Sequence, residues 1–341
     1  MSRWLLPAVM SQQTGFDWNV QRGEVSISGG NQTSVVSLVA PVPVGESFAT
    51  IICQGADTRR ERIMAMAVLQ TVVGGNYTEL RIDRGVETIS NMSYAWQVVT
   101  SPAISVQMVE RIDTAEGQTT DNATIDSVDL AKTFIVETSA PNGNGDRTSA
   151  YRYELTTSTN LRVQKNIAFS ESVFRYCAYV ISIPAASVTR GTVNLTGTSV
   201  DVSLSAQDNT FCMWSNTINT STNVNDAPRN AVQGRWIDNT TFRFERNDSS
   251  DTVAIAYEFV TIPGTSLQRV DMDSSSQVIN QSITSVDLSK AVIFVNSIGN
   301  MRSSETSPRA CTHHLSSATN LQIDRNTDTG TFNVSSQIVS I

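Results

Sequence analysis

The sequence predicts an all-β protein built from four tandem small antiparallel β-sandwich modules, and three observations support this prediction. Short motifs recur in the same order along the 341 residues, about 80 residues apart. Within each repeat, short runs alternate apolar and polar residues, as half-buried strands require. Charged residues make up only 16% of the chain, and Ser, Thr and Asn take their place. These short polar side chains suit strands and turns better than long surface helices.

The clearest motif is a short alternating core that ends in a basic residue. In the first repeat it reads Leu80-Arg81-Ile82-Asp83-Arg84. Its counterparts are 161–165, 242–246 and 321–325, which end in Lys165, Arg246 and Arg325. A shared spacing of about 80 residues indicates that one structural unit has been duplicated along the chain.

Three further motifs recur with the first. Each repeat opens on a strand-like segment, Val20-Gln21-Arg22-Gly23 in the first copy and 106–109, 188–191 and 267–270 in the others. Each closes on an apolar segment, Trp96-Gln97-Val98-Val99 in the first copy, with counterparts that begin at Tyr179, Tyr257 and Gln337. The fourth motif, Val-Asp-Leu-x-Lys, is shared by 125–132 and 283–290, and we interpret it as a strand in both.

These motifs divide the chain into a segment of residues 1–16 and modules at 17–104, 105–186, 187–265 and 266–341. The first three modules each end near a proline, at Pro102, Pro184 and Pro263. Proline cannot donate a hydrogen bond to a sheet, so it suits a strand end and a stiff junction.

Strands are predicted from the period of two. Residues 24–28, 192–195 and 200–204 alternate, whereas 47–52 and 133–136 are denser apolar runs typical of core strands. Residues 61–73 have helical propensity, but their counterparts at 150–155 and 235–237 alternate, so we predict a strand there too. Turn signals recur about every 8–12 residues, which is typical of a sandwich or barrel, here of jelly-roll or immunoglobulin-like type.

The charge balance argues against nucleic acid as a partner. The net charge is −8, whereas phosphate binding needs a basic patch. No apolar run reaches the ~18 residues that a membrane span needs, so no membrane contact is predicted. The four cysteines lack metal-binding spacing, and we expect free, mostly buried thiols at Cys53, Cys177, Cys212 and Cys311.

No catalytic, cofactor or metal site is predicted. The two histidines, His313 and His314, are adjacent on a predicted strand, so they point to opposite faces and cannot easily share one metal. No nucleophile elbow, phosphate loop or zinc-protease motif occurs. Residues 141–146 and 271–273 are rich in oxygen ligands for calcium, but we interpret both as turns.

Two further sets of residues allow a structural and a functional interpretation. Trp96, Tyr179 and Tyr257 suit core packing, with a sugar-stacking platform as the alternative. The basic residues after the repeated core are candidates for pairing between modules or subunits, with a solvated strand end as the alternative; they are Arg84, Lys165, Arg246 and Arg325.

The modules resemble those of repetitive structural proteins encoded by tailed bacteriophages. The resemblance rests on Val286-Asp287-Leu288-Ser289-Lys290, Ser317-Ala318-Thr319-Asn320-Leu321 and Trp96-Gln97-Val98-Val99. It implies a virion component that is assembled in the bacterial host cytoplasm, with the major capsid protein or other virion proteins as partners. Low charge and Asn, Ser and Thr richness fit proteins that pack as symmetric homo-oligomers.

Two functions therefore lead, and neither is enzymatic. The first is a capsid decoration or head-fibre protein that binds the shell through Trp4, Leu5 and Leu6 and self-associates. The alternative is a tail-fibre or adhesin component that binds host surface glycans. A bacterial surface protein with adhesive repeats is a third hypothesis, but it would need export, which the first residues of this sequence do not favour.

Overall fold

The computed structural model shows an all-β chain. It describes residues 16–54, 64–84, 91–112, 118–140, 151–165, 174–205, 209–218, 232–246, 249, 252–295, 311–325 and 332–341. The strands fall into four groups of six, and we name the six strands of each module A to F in chain order.

The strands of the first module are β1 (Asn19–Ile27), β2 (Thr33–Pro43), β3 (Ser47–Gln54), β4 (Ala65–Val73), β5 (Asn76–Arg84) and β6 (Met92–Thr100). Those of the second are β7 (Ser105–Ile112), β8 (Thr120–Thr124), β9 (Thr133–Ser139), β10 (Tyr151–Thr157), β11 (Asn160–Lys165) and β12 (Arg175–Ser182). Those of the third are β13 (Ser187–Leu195), β14 (Ser199–Ser203), β15 (Thr210–Ile218), β16 (Gln233–Trp236), β17 (Thr241–Glu245) and β18 (Val253–Thr261). Those of the fourth are β19 (Ser266–Ser274), β20 (Val278–Ser282), β21 (Ala291–Val295), β22 (Cys311–Ser317), β23 (Asn320–Arg325) and β24 (Phe332–Ser340).

Every module has the same two antiparallel sheets. Strand F is the centre of one sheet, in the order A-F-C, and strand E is the centre of the other, in the order B-E-D. The predicted fold class, tandem β-sandwich modules, is therefore confirmed. The repeated basic-ended motif is strand E and the repeated closing motif is strand F, so the two best-marked segments of the sequence are the two central strands.

The two sheets differ in how many of their faces are buried. Strand E alternates buried and partly exposed residues, as in β11 and β17, so its sheet has one solvated face. Strand F of the second module, β12, is buried at six consecutive positions. The A-F-C sheet therefore packs on its own sandwich with one face and on other modules with the other. This double burial explains the dense apolar runs of strands C and F.

The four modules pack in a closed cyclic order. Strand D of each module lies against strands C or F of the next, with β4 on β9 and β12, β10 on β15 and β18, and β16 on β24. The fourth module returns to the first, because β22 packs on β3 and β6. The chain thus forms a ring of four modules in which each interface repeats the one before it.

A common core runs along the axis of this ring. Equivalent positions of the four C strands contribute to it and are at most 2% exposed: Phe48, Phe134, Phe211 and Val292. The ring of Phe211 contacts those of Phe134 and Phe294, with centroids 5.8 and 5.1 Å away. A small sandwich buries little surface alone, so this shared core supplies burial that no single module has.

Two modules pair a glycine of strand A with an aromatic residue of strand F. A Cβ at Gly23 would lie 2.7 Å from Cζ2 of Trp96, and one at Gly191 would lie 2.3 Å from the hydroxyl of Tyr257. The same position in the second module pairs Val109 with Ala178. The aromatic ring lies over strand A where glycine has no side chain. A large residue on strand F therefore pairs with glycine, and a small residue on strand F pairs with a larger residue on strand A.

Two local predictions can be compared with the structure. Within the predicted strand at 61–73, Ala65–Val73 is strand β4 despite its helical propensity. The Val-Asp-Leu-x-Lys segments, interpreted as strands, instead end in short 3-10 turns at Leu130–Lys132 and Leu288–Lys290. Asp129 caps the first turn by accepting a hydrogen bond from Ala131 N, which favours a turn over an extended strand.

Candidate functional site

One position of strand F joins each module to the preceding module of the ring, and we call it the latch position. In the first module Gln97 donates from Nε2 to Ile293 O at 2.9 Å and accepts from Ile293 N at 3.0 Å. In the fourth module Gln337 makes the same pair with Cys212, at 2.9 and 2.8 Å. An amide side chain is suited to this role because it satisfies a backbone donor and a backbone acceptor together.

The other two latch positions use different chemistry. Tyr179 donates from its hydroxyl to Ala67 O at 2.9 Å and accepts from Leu69 N at 3.2 Å. Glu258 accepts from Ile135 N at 2.7 Å and lies 3.3 Å from Nη2 of Arg190. Each again reaches the module before its own.

The strand register corrects the sequence alignment of Tyr179. The motif aligned it with Trp96 and Tyr257, whereas the pairing with strand C aligns it with Gln97 and Glu258. The signal that would have shown this was the proline, because each of these latch residues lies five positions ahead of Pro102, Pro184 or Pro263. Core packing is confirmed for Trp96 and Tyr179, which are 5% and 0% exposed.

Glu258 is the one latch residue with a carboxyl group, and its pKa is raised to about 7 because burial disfavours the charged carboxylate. Arg190 and the amide of Ile135 oppose this shift without cancelling it. The carboxyl group therefore titrates near neutral pH inside an interface.

An arginine of strand A strengthens three of the four interfaces. Arg22 donates from Nη2 to Ala291 O at 2.6 Å and also to Leu288 O. The equivalents Arg190 and Arg269 donate to the matching carbonyls of the preceding modules; these carbonyls belong to Thr133 and Thr210. The second module has Met108 here, which packs against the axial core. No role was predicted for this motif, although its recurring Arg was the available signal.

The junction of the fourth module with the first resembles a covalent linker. In the second module Lys132 donates to Ala186 O at 2.6 Å, in the linker to the third module. In the fourth, Lys290 donates to Asp17 Oδ1 at 2.7 Å. The Trp18 indole and the Ile341 amide both donate to Lys290 O, at 2.6 and 3.2 Å. The residues before strand A of the first module thus take the place of a linker.

In three modules a glutamine of strand A bonds the chain near the end of strand B: just after strand B in the second and fourth modules, and in the irregular part of β2 in the first. Gln107 donates to Asp126 O at 3.1 Å and accepts from Asp126 N at 2.6 Å. Gln21 and Gln268 make the same reciprocal pair, with Ala40 and Thr284 respectively. We call this arrangement the glutamine clamp. It closes the edge of the sandwich at strands A and B.

The third module does not have the glutamine clamp. Thr189 stands at the glutamine position, and 204–209 replaces the longer 125–132 of the second module. A groove of about 510 Å³ opens there, between strands A and B. Its rim carries hydroxyl groups of Ser187, Thr189 and Ser203, and its floor carries Leu204, Tyr257 and Phe259.

The first module carries the main exposed apolar feature among the described residues. Its D–E hairpin and the adjacent end of strand B form a tongue, which we define as residues 39–44 and 72–77. Val39 is 92% exposed, and Val72 and Val73 are 58% and 62% exposed. The matching turn is Ser158-Thr159 in the second module and Ala318-Thr319 in the fourth, and that of the third has one exposed apolar side chain, Ile237.

Two buried cysteines and one buried histidine are held neutral. Cys177 and Cys212 are buried, and burial raises the pKa of both thiols well above the usual range. His313 is 1% exposed, shares a hydrogen bond of 2.6 Å with Ser336 Oγ, and has its pKa lowered to about 3 by burial. Its neighbour His314 is 23% exposed and faces Glu24 at 3.3 Å, which confirms one inward and one outward histidine.

The basic residues that end strand E have contacts within their own modules. Arg84 donates to Ser28 O at 3.0 Å, and Arg246 donates to Gly197 O at 2.9 Å. Lys165 is 3% exposed, and its ammonium lies 4.6 Å from the ring centroid of Phe174. These bonds tie the A–B turn to strand E. Pairing between modules or subunits by these residues stays a prediction.

Some predicted residues lie outside the described residues: Trp4, Leu5, Leu6, the segment 141–146 and the side chains of Cys53 and Arg325. Asp271 and Asp273 lie within strand β19, so their interpretation as a turn was wrong. Among the described residues no three His, Cys, Asp or Glu side chains are grouped to hold a metal ion.

No described helix has the length and apolar character that crossing a bilayer demands.

Comparison of the chain with models of known protein families gives no match. Comparison with curated proteins gives none either.

Proposed function

We propose that this chain is a non-enzymatic structural component of a virus particle, a capsid decoration or head-fibre protein that binds the shell and associates with copies of itself. The closed ring of four modules is the observation that supports a structural role best. The latch residues, the strand A arginines and the axial aromatic rings all serve module packing. Tight packing between the modules makes the ring rigid, and a structural component that is repeated over a particle surface needs a rigid shape.

Attachment to the shell is assigned to residues 1–16, with Trp4, Leu5 and Leu6 as the apolar contacts. Phe16 is buried and packs on Trp18, so the test keeps it and compares the full chain with residues 16–341 for binding to particles that lack the protein. We expect the shortened chain to keep its circular dichroism spectrum and melting temperature but to lose binding. Binding by the shortened chain at the level of the full chain would contradict the assignment.

The number of copies in a purified particle tests the location. A decoration protein should be present in scores to hundreds of copies on the head. Quantitative mass spectrometry of whole particles and of separated heads and tails measures this directly. A few copies found only with tails would contradict the decoration assignment.

The second candidate function is a tail-fibre or adhesin component that binds host surface glycans. The groove of the third module favours it, because hydroxyl groups surround an uncharged floor that includes the aromatic rings of Tyr257 and Phe259. A glycan array probed with the full chain tests this candidate, with Thr189→Gln as the groove variant. Binding that this variant abolishes would support the adhesin; absence of binding would count against it.

A further inference from the structure

The tongue of the first module projects beyond the matching turns of the other modules. Leu69 pairs with Leu80, as Leu155 pairs with Leu161 in the second module. Strand E then starts at Asn76 in the first module but at Asn160 in the second, three residues closer to that pair. At roughly 3.3 Å per residue, the tongue extends about 10 Å further.

The tip of the tongue is apolar and uncharged. Strand B extends to pair with it, through Val42 with Tyr77 and Pro43 with Asn76. The two-residue turn is Gly74-Gly75, both with positive φ, which a tight hairpin turn of this kind requires. Exposed valines that cluster on one projection mark an interaction surface.

The groove of the third module has the matching character. Among the lining residues that the structure describes, none is charged, and the floor includes Leu204 and Phe259. The equivalent edge of the fourth module is filled by its own chain, where Val286 is 7% exposed. An aliphatic side chain on an extended segment is therefore what this type of edge accommodates elsewhere in the molecule.

Both features lie on the same face of the ring. The groove is formed where strand B ends and strand C begins, at Ser203 and Thr210. The tongue lies at the same end of the first module, where Val44 N donates to Gly75 O at 3.0 Å. Because the interfaces repeat cyclically, equivalent strand ends share one face, and the first and third modules are opposite each other on it.

We propose that the tongue of one copy docks in the groove of a second copy. A two-fold axis just beyond this face, parallel to the plane of the ring and to the line from the second to the fourth module, puts each tongue over the other copy's groove. The contact is then made twice and is closed, as an isologous dimer requires. This inference names the partner surface for the self-association in the proposed function and rests on that part of it.

The mass of the full chain in solution tests the proposal. We expect sedimentation velocity to show a dimer whose fraction rises with concentration. Val73→Asp puts a charge in an uncharged groove and should give a monomer at the same concentrations. Ser158→Asp places the same charge on the matching turn of the second module and should leave the dimer intact. A wild-type monomer at all concentrations, or a Val73→Asp dimer, would overturn the proposal.

A charge pair tests the groove side and separates misfolding from lost contact. Val73→Glu and Thr189→Lys should each be monomeric alone, and a mixture of the two should regain dimers. No recovery in the mixture, with both variants folded by circular dichroism, would overturn the tongue-to-groove contact. Binding of monomeric Val73→Asp to particles tests shell attachment separately, so failure of dimerisation and failure of the virion role give different results.

Discussion

A single side-chain position in strand F decides how each module holds the module before it. Glutamine, tyrosine and glutamate all occupy this latch position, and each bonds to backbone groups across the interface. Buried backbone groups need partners, so the position tolerates different side chains as long as they supply a hydrogen bond. Glutamine meets this need without a charge, whereas glutamate makes its interface sensitive to pH.

Glu258→Gln should raise stability at alkaline pH. The ordinary pKa of a glutamate is 4.5, whereas the pKa of Glu258 is about 7 in the fold, so the folded state keeps the proton to higher pH. The free energy of unfolding therefore falls as pH rises from 4.5 to 7 and stays low above it. We expect the variant to gain on the order of 1–3 kcal/mol at pH 8 and nothing at pH 4, measured by denaturant unfolding.

Gln97→Glu is the matched control, because it places the same carboxyl group at the equivalent interface. It should lose stability at pH 8 and approach the wild type at pH 4. A Glu258→Gln variant less stable than the wild type at pH 8 would show that the pair with Arg190 outweighs the burial of the charge.

His313 should act in the opposite direction. Its pKa is lowered from 6.5 to about 3 in the fold, so the unfolded chain takes up a proton first as pH falls. Stability is then complete above pH 6.5 and is lost as pH falls toward 3. The test compares the Glu258→Gln variant with the double variant that also carries His313→Gln. Between pH 7 and pH 5, the free energy of unfolding should fall by about 2 kcal/mol less in the double variant. Equal losses in guanidine unfolding would contradict the lowered pKa.

At the scale of elements, the glutamine clamp ties strand A to the chain near the end of strand B in three modules, whereas the third module has Thr189 at the glutamine position. The clamp satisfies both backbone groups of one residue in a segment that has few sheet bonds of its own. In the second module the same segment is further held by Val128 N, which donates to Ser158 O at 2.9 Å. The third module lacks the glutamine and has a groove in its place.

Gln107→Ala should loosen the segment 125–132 in particular. It removes two hydrogen bonds to Asp126, each with a net value of about 1 kcal/mol, so we expect a loss of ~1–2 kcal/mol. Hydrogen exchange followed by mass spectrometry should show faster exchange in peptides that cover 125–132. Thr189→Ala is the control, since that position holds no segment, and its exchange pattern should match the wild type. Equal exchange in Gln107→Ala would show that the clamp is dispensable.

The sequence predicted the elements well because their signals are local or repeated. Alternation identified β1 and β14, and the repeat identified β4 as a strand despite its helical propensity. The Val-Asp-Leu-x-Lys segments were interpreted wrongly as strands, because the Asp129 cap that stops extension is a local contact that apolar spacing does not reveal. The sequence shows that the third module has no Val-Asp-Leu-x-Lys motif. It does not show the groove found there, because the groove is also lined by residues of strands A and F.

The closed arrangement belongs to the scale of the whole molecule, and the repeated motifs alone do not predict it. The bond between Gln97 and Ile293 joins residues far apart in the chain, and no spacing rule links them. Dense apolar runs in strands C and F did carry a signal, since burial on both faces requires a further neighbour. The pairs of glycine and aromatic residues carried a second signal. The motif alignment placed Tyr179 one residue out of register, so the equivalence of the latch residues was not recognised.

A circular permutant tests the closure. The chain would be joined from residue 341 to residue 16 by a short linker and opened between Ala103 and Ile104. Because Trp18 and Ile341 share one carbonyl acceptor, the new connection spans a short distance. We expect a folded protein with one cooperative unfolding transition. A control opened between Ala178 and Tyr179 cuts a central strand and should not fold. Two separate transitions in the first permutant would contradict the closure.

Because the four modules close into a ring through one repeated interface, the protein cannot gain further modules as an open repeat array can. Open repeat arrays can lengthen unit by unit and need polar caps at both extremities. Here four equal rotations return the chain to its own first sheet, so none of the four modules is terminal and none needs a cap. Gain of a fifth unit by duplication would force one A-F-C sheet out of the circle and leave its second apolar face in water. The evolutionary route to a larger protein of this kind would therefore be to lengthen loops, as the tongue already does, rather than to add units.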